Sequence, residues 1–352
     1  MPHITSSPVV ITQRRIPLDD SKEDLNNFFP HLPSYVHPTT GLLGIFPKAM
    51  VPYAQLMRID KPAGLYGIYF PYLIGLFYAA CITPEPPEPL LLGQLAIALL
   101  AFSIFLRGAA CSWNDTLDQH FDRRVARCRH RPVARGAVST WQAHIFTLAL
   151  LGLGLYPVLI FLFPMECIPH AVIVVALAAV YAPMKRFTDY PQVVLGVACS
   201  WAVYFSAAAL GIQPLFFGDE KCTATVALFA ANVAWAITND TFYAYQDVKD
   251  DERAGVRSMA LKFKDSIKLL ASMLALAQVS LLVLCGLWAR FGAVYFFGLV
   301  GGVATAMSYY VLSVDLDQPE SCGIWFHRQY WLVGAGYVAG LGGSYVMRLR
   351  FD

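Results

Sequence analysis

Three aspartates near residue 118 follow one another at helical spacing. Asp115, Asp118 and Asp122 are three and four residues apart, so a helix would place them on one face. Carboxylates at that distance repel one another unless a cation lies among them. Taken alone, such a cluster is more typical of solvated loop charge than of a binding site.

A second acidic cluster repeats the first. The tripeptide Asn-Asp-Thr stands at 114–116 and again at 239–241. In each copy, a further aspartate lies seven residues after the aspartate of the tripeptide. Asp240 is thus followed by Asp247, and Asp251 comes four residues later. The repeat is as compatible with chance as with an internal duplication. Two matching clusters nevertheless favour a site over solvated charge.

Basic residues occupy the same regions as the acids. Six arginines lie between residues 123 and 135 alone. Mixed acids and bases suit a polyanionic ligand that brings its own metal, and Mg²⁺ typically binds one or two carboxylates together with substrate phosphates. Zinc is not indicated, because His120 and His130 lack a partner at ligand spacing. We therefore expect a magnesium–diphosphate site.

The composition shows where this site must lie. Of the 352 residues, 57% are hydrophobic and only 14% are charged, and the mean hydropathy is +0.50. A soluble domain of this size needs more charge for its surface, so the composition excludes an ordinary soluble enzyme, a disordered chain and a coiled coil. The net charge of +2 is too balanced for a nucleic-acid binder. The composition indicates a protein whose partner is the lipid bilayer.

Long apolar runs begin at Leu65, and each is near the length of about 20 residues that crosses a bilayer as a helix. We therefore predict an all-α integral membrane bundle of about nine transmembrane helices. Residues 1–52 are polar and rich in proline, and we expect a flexible leader there, followed by a single transmembrane domain over 53–352. The nine predicted spans are 65–81, 90–112, 141–163, 168–184, 192–212, 224–244, 267–289, 293–313 and 329–347.

The basic residues predict the orientation of the bundle. Lys and Arg concentrate in the loops after spans 2, 4 and 6, whereas the loops after spans 1 and 3 have none and the loop after span 5 has only Lys221. The positive-inside rule places the basic loops, and with them both acidic clusters, in the cytosol. Arg348 and Arg350 at the far end of the chain violate this pattern mildly.

Two further arginines stand close to the acids. Arg107 lies within the second predicted span, two turns before Asn114. A charge inside a membrane helix costs at least about 2.5 kcal/mol, which favours a function over simple snorkelling. Arg58 precedes the first span, where an interfacial anchor would be the ordinary explanation.

Six segments carry recognisable motifs, and together they resemble the signatures of the UbiA superfamily of membrane prenyltransferases, in its 4-hydroxybenzoate polyprenyltransferase-like branch. The resemblance runs from about residue 55 to the end of the chain, and nine spans is the number of that family. The motifs are LxRxDKPxG at 56–64, a variant of RGAGC at 107–111, NDxxDxxxD at 114–122, VxRxxxRPxxxG at 125–136, a YPxxKRxT-like element at 181–188, and a variant of YDTxYAxQDxxDDxxxGxKS at 239–258.

The resemblance implies an enzyme that transfers a prenyl group from an allylic diphosphate. It implies catalysis at the first cluster, with Asp115 and Asp118. The implied Mg²⁺ ligands are Asp115, Asp118, Asp122, Asp247 and Asp251, and the implied diphosphate-binding residues are Arg127, Arg131, Lys185 and Arg257.

The same resemblance implies an aromatic acceptor. Asp240 would take up a proton, Arg58 or Arg107 would hold a carboxylate on the ring, and Asn114 and Tyr243 would contact the acceptor. Two positions depart from the family pattern. Asn239 replaces the usual Tyr, which puts the identity of the acceptor in doubt. Arg257 replaces the usual Lys, which keeps the charge but changes its geometry.

We expect a fungal meroterpenoid pathway, in which a farnesyl chain is attached to a ring carbon of an orsellinic-type phenolic acid. The 4-hydroxybenzoate polyprenyltransferase of ubiquinone biosynthesis and a UbiA-type membrane terpene cyclase are alternatives, and a transporter is the alternative outside enzymes. The acidic leader does not resemble an Arg-rich mitochondrial transit segment. We therefore expect the endoplasmic reticulum, with the active site facing the cytosol, before the mitochondrial inner membrane. No obligate protein partner is indicated.

Overall fold

The computed structural model describes residue 29, residues 31–212 and residues 220–351. The chain divides into two compact units, Met1–Ser34 and Tyr35–Asp352. Most of the first unit lies outside the described residues, and so does most of the predicted leader. The boundary expected at residue 52 stays a prediction.

Every regular element among the described residues is a helix, which confirms the predicted all-α class. Three of the helices include a π-helical turn, at Leu150–Leu155, Tyr295–Val300 and Tyr330–Gly334. In chain order the helices are α1 Gly41–Gly44, α2 Val51–Leu56, α3 Ala63–Ile82, α4 Pro89–Asp122, α5 Thr140–Leu162, α6 Cys167–Phe187, α7 Pro191–Ala209, α8 Glu220–Tyr245, α9 Val248–Ala254, α10 Met259–Lys262, α11 Ile267–Trp288, α12 Tyr295–Ser313 and α13, which covers 319–351.

Eight helices in the described part of the chain are long and apolar enough to cross a membrane, namely α3 to α8, α11 and α12. This number is one fewer than the nine predicted. The predicted ninth span, 329–347, does form a helix within α13, but its many Gly and Tyr residues lower its hydropathy. The prediction of an integral, multi-pass membrane bundle is confirmed.

The outer surface of the bundle is apolar. Leu153, Phe161 and Phe297 are more than 80% exposed, which suits contact with lipid rather than water. Inside, α8 packs mainly against α7 and α11, and α3 packs against α7 and α13. Rings such as Tyr72 and Phe102 fill the interior.

The basic residues at the end of the bundle away from the acids have a structural role. Arg348 Nη1 donates to the carbonyl oxygens of Cys81 (2.7 Å) and Thr83 (2.9 Å). Lys221 Nζ donates to the carbonyl oxygen of Ile82 at 3.0 Å. These carbonyls belong to the C-terminal end of α3, where helices leave acceptors unpaired and cations are favoured. Capping of α3 therefore explains two basic residues that depart from the positive-inside pattern.

Helix α3 approaches α7 closely because Gly75 has no side chain. A Cβ built at Gly75 would lie 2.8 Å from Val203 Cα, which is backbone and cannot move aside cheaply. Small residues allow such close approaches between membrane helices. Because α3 also lines the cavity described below, this contact positions one wall of the site.

The Gly75→Ala variant is expected to be less stable than the native protein by about 1–3 kcal/mol, since overpacking forces the backbones apart. Thermal unfolding in detergent micelles measures the effect. Gly93→Ala in α4 is the matched control, because a Cβ there meets nothing within 4 Å. Equal unfolding midpoints for the two variants would contradict the close packing of α3 on α7.

Candidate active site

A cavity of ≈ 550 Å³ lies within the bundle, between α3, α4, α6, α7, α8 and α13. The structure brings every site residue predicted from the sequence to its wall, whereas their chemical roles stay predictions. These residues are Arg58, Arg107, Asn114, Asp115, Asp118, Asp122, Arg127, Arg131, Lys185, Asp240, Tyr243, Asp247, Asp251 and Arg257.

Helix α4 carries the first acidic cluster to the cavity mouth. It is 34 residues long and continues past the predicted end of its span, 112, to Asp122. Asp115, Asp118 and Asp122 are at most 5% exposed, and the predicted shared helical face is the one that lines the cavity. Buried carboxylates need partners, because desolvation of an unpaired charge is costly.

Cations from three other segments pair with this cluster. Arg58 Nη2 lies 2.6 Å from Asp115 Oδ1. Arg131 Nη1 lies 2.9 Å from both oxygens of Asp122 and 3.5 Å from Asp115 Oδ1. Lys185 Nζ, from the end of α6, lies 2.8 Å from Asp118 Oδ2. The acids therefore hold together the segment before α3, the loop after α4 and the end of α6.

The second cluster lies at a break between two helices. Helix α8 ends at Tyr245, and Asp247 precedes α9, which carries Asp251 on its first turn. The sequence therefore placed Asp247 and Asp251 correctly on one helical turn, but that turn belongs to a short separate helix. Burial, followed by the charge of Asp247, raises the pKa of Asp251 to about 7. A nearby cation would favour its ionised form.

The loop after α4, which follows the first acidic cluster in the chain, is hydrogen-bonded to the region of the second cluster. Arg127, in the loop after α4, donates from Nε to Asp247 Oδ1 at 3.0 Å and from Nη1 to the Tyr243 hydroxyl at 2.6 Å. In the same loop, the backbone N–H of Ala126 donates to Asp250 Oδ2 at 2.9 Å. Residues of both Asn-Asp-Thr segments therefore belong to the same cavity.

Two carboxylate oxygens of the first cluster can still accept a hydrogen bond or bind a cation. Asp115 Oδ2 and Asp118 Oδ1 are buried and accept no hydrogen bond from the described residues, although Arg186 Nη1 lies 3.5 Å from Asp118 Oδ1. Among the described residues, no three His, Cys, Asp or Glu side chains are close enough to hold a metal ion by themselves. A metal here would need further oxygen ligands from its substrate, which is how Mg²⁺ usually binds with phosphates.

Arg107 has a different environment from the one expected. It is 8% exposed, and it donates from Nη1 to the backbone oxygen of Arg58 (3.0 Å) and from Nη2 to that of Lys61 (2.6 Å). It thereby fixes the backbone before α3, where Arg58 has a φ of 56°. Arg107 thus positions Arg58, and it is Arg58 that meets the acidic cluster.

Arg257 lies at the rim of the cavity. Its side chain is 48% exposed, and its Nε lies 2.8 Å from Asp189 Oδ1. The hydrogen bond to Asp189 raises the pKa of Arg257. Its backbone N–H donates to the Lys185 carbonyl oxygen at 3.0 Å. This contact brings the loop after α9 next to the end of α6.

The deeper cavity wall contains further polar residues. The sequence marks Asn239 as a departure from the family pattern, but it predicts no role for Asn232 or for the Tyr181 hydroxyl. The Tyr181 hydroxyl lies 3.5 Å from Asp240 Oδ2, and the amides of Asn232 and Asn239 also line the cavity. Asn239 is part of the repeated Asn-Asp-Thr tripeptide, which was a usable signal. Asn232 stands seven residues earlier, two turns along α8 and hence on a similar face, which only a helix assignment could show.

Comparisons with known proteins agree with this architecture. Residues 68–333 match the UbiA prenyltransferase family. The prenyltransferase ascA of Acremonium egyptiacum is 39% identical over 269 residues, which cover 76% of this chain and 78% of the relative. The DMOA farnesyltransferase nvfB of Aspergillus novofumigatus is 35% identical over 309 residues, which cover 88% of this chain and 95% of the relative.

Two solved structures illustrate the similarity of fold. A UbiA homolog from Archaeoglobus fulgidus, bound to GPP and Mg²⁺, has a TM-score of 0.62 at 16% identity over 84% of this chain and 99% of that one. A UbiA homolog from Aeropyrum pernix has a TM-score of 0.57 at 21% identity over 81% and 97%. These likenesses show the fold, and the family match and the fungal relatives give the identity: the chain belongs to the UbiA prenyltransferase family.

Proposed function

We propose that this protein transfers a prenyl group from an allylic diphosphate to a ring carbon of a phenolic acid, in a Mg²⁺-dependent reaction of secondary metabolism. The observation that carries the proposal is the pair of acidic clusters at the mouth of one cavity, held among cations. Below them the cavity wall includes apolar residues such as Ile68, Leu106 and Leu195. A charged mouth above an apolar interior suits an allylic diphosphate, which has a charged head and a hydrocarbon tail.

The residues at the mouth fit Mg²⁺. Asp115 and Asp118 each have a buried oxygen that no donor in the described part of the chain reaches, and hard oxygen ligands are those that Mg²⁺ prefers. Mg²⁺ would take one or two carboxylates as ligands from the set Asp115, Asp118, Asp122, Asp247 and Asp251, and its other oxygen ligands from the diphosphate. Bound there, Mg²⁺ would neutralise negative charge on the diphosphate.

The cations of the site would bind the phosphate oxygens directly. Arg127, Arg131 and Lys185 are each paired with an aspartate, and a diphosphate would offer them further acceptors. As the allylic C–O bond breaks, its electron pair leaves with the diphosphate. Fixed positive charge near that oxygen stabilises the transition state. Arg257 would contribute from the rim, with the smaller effect of an exposed charge.

The acceptor would lie deeper than the diphosphate, near Asp240 on α8. The ring carbon would form the new C–C bond with the allylic cation, and the ring would then lose its proton. Asp240 is the residue we assign to take up that proton, as a general base. Asn114 and Tyr243 would contact the ring, and Arg58 would bind its carboxylate. Arg107 was predicted as an alternative to Arg58 for that carboxylate, and we propose for it instead the role of positioning Arg58.

The substrate class rests on the fungal relatives. The relative nvfB is named a DMOA farnesyltransferase, and a relative from Stachybotrys bisbyi, stbC, is named a prenyltransferase at 34% identity over 79% of this chain. We therefore propose a farnesyl donor and an orsellinic-type phenolic acid. We also propose that the protein resides in the endoplasmic reticulum with the acidic clusters facing the cytosol, because the basic loops lie at that end.

Purified protein in detergent or lipid, given Mg²⁺, allylic diphosphates of several chain lengths and a panel of phenolic acids, is expected to yield C-prenylated phenols, read by mass. Chelation of the metal is expected to abolish the product, and added Mg²⁺ to restore it.

Other outcomes would contradict the proposal in distinct ways. Conversion of the diphosphate without any acceptor would indicate a terpene cyclase. Use of 4-hydroxybenzoate with long-chain donors only, together with a mitochondrial location, would indicate the ubiquinone pathway. Uptake of a substrate into vesicles without covalent change would indicate a transporter.

A further inference from the structure

Asn239 carries a buried amide whose hydrogen-bonding capacity is unused. The residue is 2% exposed, and both its Nδ2 and its Oδ1 lack a hydrogen-bond partner among the described residues. It lines the cavity. A buried polar group without a partner costs roughly 1–3 kcal/mol, so an amide in this state points to a ligand that completes it.

The position of Asn239 along α8 separates it from the diphosphate end of the cavity. Asp247 follows it by eight residues, and the helical part of that separation corresponds to roughly 10 Å along the axis at about 1.5 Å per residue. Asp240, the proposed proton acceptor, is its direct neighbour. Asn239 is therefore close to the ring that reacts and away from the phosphates.

The chemistry of a carboxamide limits what can satisfy it. Nδ2 must donate and Oδ1 must accept. Phosphate and carboxylate oxygens only accept, so they would leave Oδ1 of Asn239 unpaired, and a prenyl chain satisfies neither atom. A phenolic hydroxyl both donates and accepts, so it can bond both atoms.

We propose that Asn239 recognises a hydroxyl group on the acceptor ring and thereby selects hydroxylated acceptors and orients them toward the allylic carbon. This inference rests on the proposed function and adds a specificity-determining residue to it. Asn232, two turns further into the bundle, extends the polar edge of α8. Its Nδ2 already donates to the Leu228 carbonyl oxygen at 2.9 Å, so only its Oδ1 is free to accept.

Thr238 provides a matched control on the same helix. It is 1% exposed, its hydroxyl donates to the Ala234 carbonyl oxygen at 2.9 Å, and it is not part of the cavity wall. Thr238→Val and Asn239→Leu each remove a buried polar group of α8 with little change in volume. Only the second removes one that faces the cavity.

The experiment compares phenolic acids with analogues in which one ring hydroxyl at a time is replaced by a methoxy group, which keeps the ring electron-rich but cannot donate. With the native protein, kcat/KM is expected to fall at least about 10-fold when one particular hydroxyl is masked, since a site built to bond a hydroxyl rejects the analogue that lacks it. In Asn239→Leu, the ratio of kcat/KM for the acceptor with that hydroxyl to kcat/KM for its methoxy analogue is expected to approach one. The KM for the allylic diphosphate is expected to stay unchanged. Thr238→Val is expected to keep the native ratio.

Three results would overturn the inference. The first is that the native protein prenylates acceptors without a preference at any hydroxyl. The second is that Asn239→Leu keeps the native ratio, and the third is that Thr238→Val loses this ratio as well. Should Asn239→Leu fail to fold, as judged by its thermal unfolding, the native panel and the smaller variant Asn239→Ala, which also lacks the amide, decide in the same way. A native protein that prenylates no phenol would instead contradict the proposed function.

Discussion

Protein carrying Asp118→Asn is expected to form prenylated product about 10²–10³-fold more slowly than the native protein at saturating substrate, a loss typical of a removed electrostatic contact to the reacting group. Asp118 is buried beside Lys185 and has an oxygen that accepts no hydrogen bond from any residue that the structure describes. The amide keeps the volume of the side chain but removes the charge that a cation requires. We expect the same loss for Asp247→Asn, because the second cluster lies at the same cavity mouth.

The measurement is kcat at several Mg²⁺ concentrations, with Asp265→Asn as the control. Asp265 is exposed in the loop before α11 and lies outside the cavity wall. The two active-site variants should need more Mg²⁺ for half-maximal rate, whereas the control should behave like the native protein. Native-like turnover by both Asp118→Asn and Asp247→Asn would show that the clusters do not bind the metal.

The Arg131→Met variant is expected to lose stability as well as activity. Arg131 contacts both Asp122 and Asp115. Its removal leaves the buried Asp122 without the cation that contacts both its oxygens, whereas Asp115 keeps its ion pair with Arg58. Breaking a buried ion pair costs about 3–5 kcal/mol, and we expect about 2–3 kcal/mol here because the Arg131 side chain is 24% exposed. Arg131→Lys should recover part of the loss, since a lysine keeps the charge but not the two-oxygen geometry.

Thermal unfolding without diphosphate measures this effect, with Arg290→Met as the matched control. Arg290 pairs with Glu220 at a site where both side chains are more than half exposed, and such pairs contribute about 0–1 kcal/mol. Added Mg²⁺ should reduce the deficit of Arg131→Met, because it replaces the missing positive charge. Equal stability of the two methionine variants would contradict the assignment of Arg131 as the cation that holds the first cluster together.

Local spacing was enough to predict much of the site. The separation of Asp115, Asp118 and Asp122 follows helical periodicity, and α4 is indeed continuous through them. The repeated Asn-Asp-Thr tripeptide favoured a site over solvated charge, and residues of both copies do line one cavity. Arg107 shows the limit of such reasoning, because a charge within a membrane helix predicts a partner but not which one. Its partners are backbone carbonyls of a segment about fifty residues earlier in the chain.

Composition and periodicity determined that this chain is an all-helical membrane protein with its charge gathered at one end, since apolar length and charge position are properties of the sequence itself. Only the tertiary structure decided which cation pairs with which aspartate, that Arg348 caps α3, and that neither amide atom of Asn239 has a partner among the described residues. These features depend on which faces of similar apolar helices turn inward. That choice follows from contacts such as Gly75 against Val203, between residues far apart in the sequence.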